Sequence, residues 1–313
     1  MFAPLFLVAL NALHVAAYSR TAALYGQNFL NAFTFQSIAD PTNGRGNYVD
    51  LGQAWNDGLI TVNGGSLTLR ADSWTKLGAS GPGRNTFRLM SNTQYNNHVA
   101  VFDIGHMPTG CGTWPAVWEV GQDWPNNGEI DIVEGVNSQE PNQSTLHTSN
   151  GCTMPASRKM SGYATGGLDC SVYDTDNTGC GTKYTKANSF GPDFNNAGGG
   201  WYAIVKTSTA ISMYFWGRND GSVPNEVRNP GQTVNPASWG TPSAYYPSTQ
   251  CNFNTHIGSQ NIIINLAFCG DWAGAASVYG ASGCPSTCTD YVNSNPSAFS
   301  EAYFEFNALN IYE

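Results

Sequence analysis

One stretch constrains this chain more than any other. Gly128-Glu129-Ile130-Asp131-Ile132-Val133-Glu134-Gly135 interleaves three acids with three branched aliphatics between glycines. Its period-2 alternation predicts a β-strand with one packed and one open face, and the branched run disfavours a helix. In an unbroken strand Glu129 and Asp131 share a face, while Glu134, five positions on from Glu129, points the other way. One extra residue near Ile132 or Val133 would return Glu134 to the face of Glu129; bulges that re-aim a side chain in this way recur beside active sites. Two carboxyl groups about 5–5.5 Å apart on an open face suit a retaining glycosidase, one as nucleophile and one as general acid, then base. Asp131 could hydrogen-bond a neighbouring carboxylate and help to separate the pKa values of the pair. The pattern alone leaves two alternatives: solvated acids on an exposed strand, or a calcium or magnesium site. Against a metal, the spacers are Ile, Ile and Val rather than the flexible Asp/Asn/Gly segments of such loops.

The rest of the chain reads as many short strands with turn-rich connections. Alternating or apolar runs fall at 66–70, 85–90, 98–104, 113–118, 201–206, 211–216, 261–268, 302–306 and 309–312, with a helical turn near 296–301. This predicts an all-β sandwich of two curved antiparallel sheets, and 313 residues fit one such domain. Residues 150–200, rich in Gly, Asn, Thr and Ser, carry three cysteines and are expected to form disulfide-pinned excursions at one end of a cleft.

Residues 1–17 read as a secretory signal cleaved near Ala17, although no Lys or Arg precedes the apolar run Leu5–Leu10. That run is too short to span a membrane, so a secreted, extracellular chain of residues 18–313 is expected. Eight cysteines agree with an oxidising compartment. Pairing within Cys111, Cys152, Cys170 and Cys180, and within Cys251, Cys269, Cys284 and Cys288, is the expectation, with Cys284 and Cys288 as a local staple. Asn142-Gln143-Ser144 matches a glycosylation sequon, which suggests an exposed, glycosylated Asn142. Thirteen basic against twenty-two acidic residues leave a net charge of −9 with no basic run. Nucleic acid and anionic membranes are therefore not expected partners.

The segments Cys111–Trp118, Trp124–Asn137, Leu146–Thr148, Gly199–Ala203, Asn261–Leu266 and Phe268–Gly274 together resemble glycoside hydrolase family 16, in its fungal laminarinase branch. The resemblance covers nearly the whole mature chain. It implies a β-jelly roll with substrate across the concave face, endo-hydrolysis of β-1,3- or mixed β-1,3/1,4-glucan, no cofactor, and a monomer; it leaves open a structural calcium on the convex side. It also implies Glu129 as nucleophile, Glu134 as acid/base and Asp131 as their supporting partner. Candidate sugar contacts are Asn47, Arg88, Trp114, Trp118, Trp124, His147 and Trp272. Trp114 and Trp118, four apart, share a strand face as a stacking platform would; core packing is the alternative for both. Asn47 beside glycines also fits an ordinary turn, and His147 a satisfied core histidine. Two other functions use this fold: glucan recognition without catalysis, and transglycosylation onto a second glycan.

Overall fold

The computed structural model describes residues 17–313; the expected leader up to residue 16 lies outside the described residues. The alternation seen in the acidic stretch is repeated by its neighbours, and the result is a β-sandwich of two antiparallel sheets. In order across the first sheet stand Tyr163–Gly166, Cys180–Lys183, Gln143–His147, Glu129–Glu134, Thr113–Gly121, Gln260–Phe268, Arg88–Tyr95 and Phe33–Phe35. The acidic strand therefore sits in mid-sheet. The second sheet runs Thr233–Val234, Tyr18–Leu24, Tyr303–Tyr312, His98–His106, Gly200–Lys206, Ala210–Gly217 and Ala244–Pro247, with a hairpin, Ile60–Asn63 and Ser66–Arg70, attached to Tyr303–Tyr312.

Alternation decides what fills the space between the sheets. Ile130, Ile132, Leu146, Ile262, Ile264 and Leu266 from the first sheet meet Phe102, Ile104, Tyr202, Ile204, Met213, Phe304 and Phe306 from the second. The opposite face of the second sheet is also buried. Val99, Val101, Trp201, Ala203, Tyr214 and Trp216 form a separate cluster there, covered by Val223, Val227, Val234 and Trp239. Gly200–Lys206 is consequently buried on both faces and reads as a continuous apolar run. With that face of the second sheet filled, the outer face of the first sheet is left to carry the polar groups.

Four disulfides form: Cys111–Cys284, Cys152–Cys251, Cys170–Cys180 and Cys269–Cys288. Pairing within each half holds for two of them and fails for the other two, and Cys284 does not staple to Cys288. The reason is topological. Cys111 and Cys152 lie in loops that the fold brings against the later loops carrying Cys284 and Cys251, so cysteines 173 and 99 positions apart meet. The segment 150–200 is pinned as expected, by Cys152–Cys251 and Cys170–Cys180. It nevertheless contains two strands, Tyr163–Gly166 and Cys180–Lys183, that extend the first sheet. The two strands expected at 302–306 and 309–312 are one, Tyr303–Tyr312, with register shifts near Phe306. Among the described residues no helix is long and apolar enough to cross a membrane.

Candidate active site

The acidic strand carries the bulge that its spacing requires. Opposite Thr113–Gly121, Asp131 pairs with Trp118 and Val133 with Val117, so two steps on one strand match one on the other. Opposite Gln143–His147, Asp131 pairs with Thr145 and Glu134 with Gln143. Ile132 and Val133 both turn into the core and are fully buried, while Glu129, Asp131 and Glu134 are brought to the cleft face. Burying two consecutive branched side chains, at ~1.5–3 kcal/mol each, favours the irregularity over a straight ladder. The flanking glycines have separate steric reasons. Gly128 adopts φ +73, and a Cβ there would stand 2.6 Å from the His256 carbonyl oxygen; a Cβ on Gly135 would meet the Phe190 ring at 2.7 Å.

Each acid has its own partners. The Trp124 indole N–H donates to Glu129 Oε2 at 2.5 Å, and the Trp114 indole N–H to Glu134 Oε1 at 2.9 Å. His147, paired with Glu129 across the ladder, places Nε2 3.3 Å from Asp131 Oδ2. Asp131 is also within hydrogen-bonding reach of Glu129. Burial pushes the Glu129 carboxyl up to about 7, and the charge of Asp131 adds to this; His147, the Trp124 N–H and Arg88 oppose it. Asp131 is likewise raised by burial to about 7. Glu134 is driven well above the ordinary range, by burial first and then by the charge of Asp131, with the Trp114 N–H and His147 resisting. Two carboxyl groups on one strand are thus both pushed towards the neutral form, each eased back by its own indole N–H.

The expected sugar contacts divide into those the structure gathers around the acids and one that it holds elsewhere. Arg88 lies with its guanidinium 4.8 Å from the centre of the Trp118 ring and donates to Gln36 Oε1 at 3.0 Å. Trp118 itself donates to Asn265 Oδ1 at 2.7 Å. Trp114 and Trp272 meet edge to face at 5.6 Å. Two hollows flank the acids. One of about 830 Å³ is bounded by Gln36, Arg88, Gln94, Trp124 and Asn261, and one of about 440 Å³ by Glu134, Gln139, Lys183 and Trp272. Asn47 is apart from this network: its amide donates to Asn85, which donates to Asp57. Its neighbour Tyr48 is the one that joins, its hydroxyl accepting from the Asn265 amide at 3.2 Å.

Tyr48, Asn265 and Gln36 are not among the sugar contacts expected from the sequence, and Asn142 is expected there only as a glycan site. For Asn265 a signal existed. Asn261 and Asn265 stand four apart in an otherwise apolar strand and share its cleft-facing side, opposite Ile262, Ile264 and Leu266. Asn142 corrects the sequon expectation. It is fully buried, with its side-chain oxygen accepting from the Glu134 N–H and its amide donating to the Ile132 carbonyl. No room is left for a glycan on that nitrogen.

Glu129, Asp131 and His147 place ligand atoms within 4.8 Å of one another, so these donors are of the right type and spacing for a metal ion. His147 Nε2 lies 3.3 Å from Asp131 Oδ2, while that oxygen and His147 Nδ1 are buried without a hydrogen-bond partner. What the arrangement does chemically is set two acids, both pushed towards their neutral forms, on one wall of a trough lined by indole rings, an arginine and amides. A family model described as "XgeA-like, catalytic GH16 domain" matches residues 33–312. The chain belongs to glycoside hydrolase family 16. Its sandwich is that of the family's jelly roll. It is 52% identical to GH16 laminarinase 16A from Phanerochaete chrysosporium, solved with β-glucans in both donor and acceptor sites, at a TM-score of 0.93 over 95% of this chain and 100% of that one. An elongating family 16 β-1,3-glucosyltransferase is 37% identical, with a TM-score of 0.87 over 95% of this chain and 100% of that one. Among curated proteins, an Aspergillus niger protein named "probable endo-1,3(4)-beta-glucanase" is 41% identical over 308 residues, 95% of this chain and 40% of that relative's length. The chain thus spans less than half of that relative.

Proposed function

We propose that this glycoside hydrolase is a secreted, retaining endo-glycosidase that cleaves internal β-1,3 and mixed β-1,3/1,4 bonds of laminarin-type glucans by double displacement. The observation that carries the reading is the bulge that sets Glu129 and Glu134 on one face, each beside its own indole N–H donor. Glu129, eased towards ionisation by the Trp124 N–H, His147 and Arg88, attacks the anomeric carbon. Glu134, held protonated by burial and by Asp131, gives its proton to the departing glucosyl oxygen. The bond to that oxygen breaks as the Glu129 ester forms. Glu134, now ionised, takes a proton from water as that water attacks the anomeric carbon; the bond to the Glu129 oxygen breaks, the carboxylate is freed and the sugar leaves with retained configuration. Asp131, within hydrogen-bonding reach of Glu129, adds negative charge beside both glutamates and so favours their protonated forms, and no cofactor enters the sequence of steps.

Trp118, Trp124, Trp114 and Trp272 offer ring faces to glucose units, and Arg88 and His147 offer donors to hydroxyls. Asn47 is proposed as a contact only for a chain long enough to reach beyond Tyr48. The same residues would serve transfer to a second glycan, and the likeness to the elongating glucosyltransferase makes this the second reading. Recognition without catalysis is disfavoured because both glutamates are in place. The product profile on laminarin decides among the three. Short oligosaccharides from the wild type, lost in Glu129→Gln and Glu134→Gln, support hydrolysis; products longer than the starting oligosaccharide support transfer; binding without either defeats both enzymatic readings on this glucan.

A further inference from the structure

The bulge that re-aims Glu134 opens the β-ladder at two backbone groups, the Ile132 carbonyl and the Glu134 N–H. Both lie where buried polar groups require partners. The Asn142 side chain closes both. Its oxygen accepts from the Glu134 N–H at 3.0 Å, and its amide donates to the Ile132 carbonyl at 3.0 Å. It thus stands in for the peptide group that a regular ladder would have supplied. Asn142 is itself held from behind: its own N–H donates to Ser189 Oγ at 3.1 Å, and its carbonyl accepts from the Tyr184 N–H at 3.0 Å. The Ser144 hydroxyl adds a second donor to the Ile132 carbonyl at 3.0 Å, so that carbonyl keeps a partner if the amide is removed.

We propose that Asn142 is a positioning residue for Glu134: it locks the bulge in the register that turns this carboxyl to the cleft, and so sets the acid without touching substrate. The proposal rests on Glu134 being the proton donor. The side-chain chemistry is specific. Leucine or alanine supplies neither partner, aspartate supplies an acceptor but places a second oxygen against the Ile132 carbonyl, and glutamine is one carbon too long to span the same gap.

A leaving group that needs no proton separates positioning of the acid from a general loss of structure. The experiment compares kcat/KM on laminarin with kcat/KM on a 2,4-dinitrophenyl β-laminaribioside, for wild type, Asn142→Ala, Asn142→Asp and Glu134→Gln, with melting temperatures recorded beside them. The expected result is a fall of roughly 10- to 100-fold on laminarin for Asn142→Ala, with less than about a 3-fold change on the dinitrophenyl substrate, since general acid catalysis is worth about 10²–10⁴. Asn142→Asp keeps the acceptor for the Glu134 N–H and is expected to lose less; it carries the test if the alanine variant does not fold. Equal losses on the two substrates in a folded Asn142 variant, or no loss on either, would overturn the proposal. If Glu134→Gln retains wild-type activity on laminarin, the assignment of the acid fails first. If Glu134→Gln shows the leaving-group dependence and the Asn142 variants do not, only the positioning role fails.

Discussion

Two groups of buried charges sit back to back on neighbouring strands, and they are built on opposite principles. On the cleft side, Glu129, Asp131 and Glu134 bring like charges together with indole N–H groups, one histidine and one arginine around them, and all three acids are pushed towards their neutral forms. On the core side, Glu119 pairs across the ladder with Ile130 and points between the sheets. There its Oε1 lies 2.8 Å from His98 Nε2, with both side chains fully buried. Lys206 completes this second group, donating to the Gly258 carbonyl at 2.9 Å and to Gln260 Oε1 at 3.1 Å. Burial lowers the Lys206 ammonium to about 8 while the charge of Glu119 holds it up. A carboxylate set beside an imidazole and near an ammonium belongs to the fold, whereas like charges gathered together are held for chemistry, at a cost in stability.

The two groups should therefore respond oppositely to the same change. The largest expected effect is on activity. Glu129→Gln and Glu134→Gln should each lower laminarin hydrolysis about 10³-fold or more, whereas Glu119→Gln should leave the rate per folded molecule within a few-fold. Equal losses from all three would erase the distinction. Next in size is stability. Removing the Glu119 carboxyl leaves His98 Nε2 without its buried partner and takes away the charge that supports the Lys206 ammonium, and should cost about 3–5 kcal/mol in a denaturant titration.

The catalytic glutamates should show the reverse sign. Glu129 is raised from an ordinary 4.5 to about 7 in the fold, so its ionised form destabilises the folded state, increasingly as pH rises above 4.5 and fully above about 7. Glu129→Gln should then melt a few degrees above wild type near pH 8, and the difference should vanish near pH 4. A variant that melts lower at every pH would show that the acids are structurally paired after all. The smallest effect is a shift of one titration limb. Trp124→Phe removes the N–H that favours ionised Glu129, so the acid limb of kcat/KM should move to higher pH, while Trp114→Phe should move the basic limb instead. Limbs that do not move separately would show that the two acids titrate as one undivided pair.

Much of this was legible in the chain. The spacing from Glu129 to Glu134 demands a bulge if both are to share a face, and the bulge lies at Ile132 and Val133 as that demand requires. Alternation likewise gave the sandwich and the pairing of Trp114 with Trp118 on one face. Contacts made across strands were hidden. Asn142 reads as a sequon because the pattern records only three neighbouring residues, while its actual partners lie eight and ten positions back on an adjacent strand. Tyr48 and Asn47 illustrate the same limit. Adjacent in sequence, they face opposite ways in a short parallel pairing of Gly46–Tyr48 with Arg84–Thr86, and nothing in a two-residue stretch says which one the cleft receives. Two of the four disulfides, Cys111–Cys284 and Cys152–Cys251, join loops far apart in sequence, which spacing along the chain does not reveal.

The central claim is that the bulged strand presents Glu129 as nucleophile and Glu134 as proton donor. Trapping tests it most directly: a 2-deoxy-2-fluoro β-laminaribiosyl donor with a dinitrophenyl leaving group is incubated with the enzyme, and the labelled peptide is sequenced by mass spectrometry. The account predicts one fluoro-disaccharide adduct per protein, on Glu129, absent in Glu129→Gln and still formed in Glu134→Gln. An adduct on Asp131 or Glu134, or turnover of the same donor with inverted product and no adduct, would contradict it.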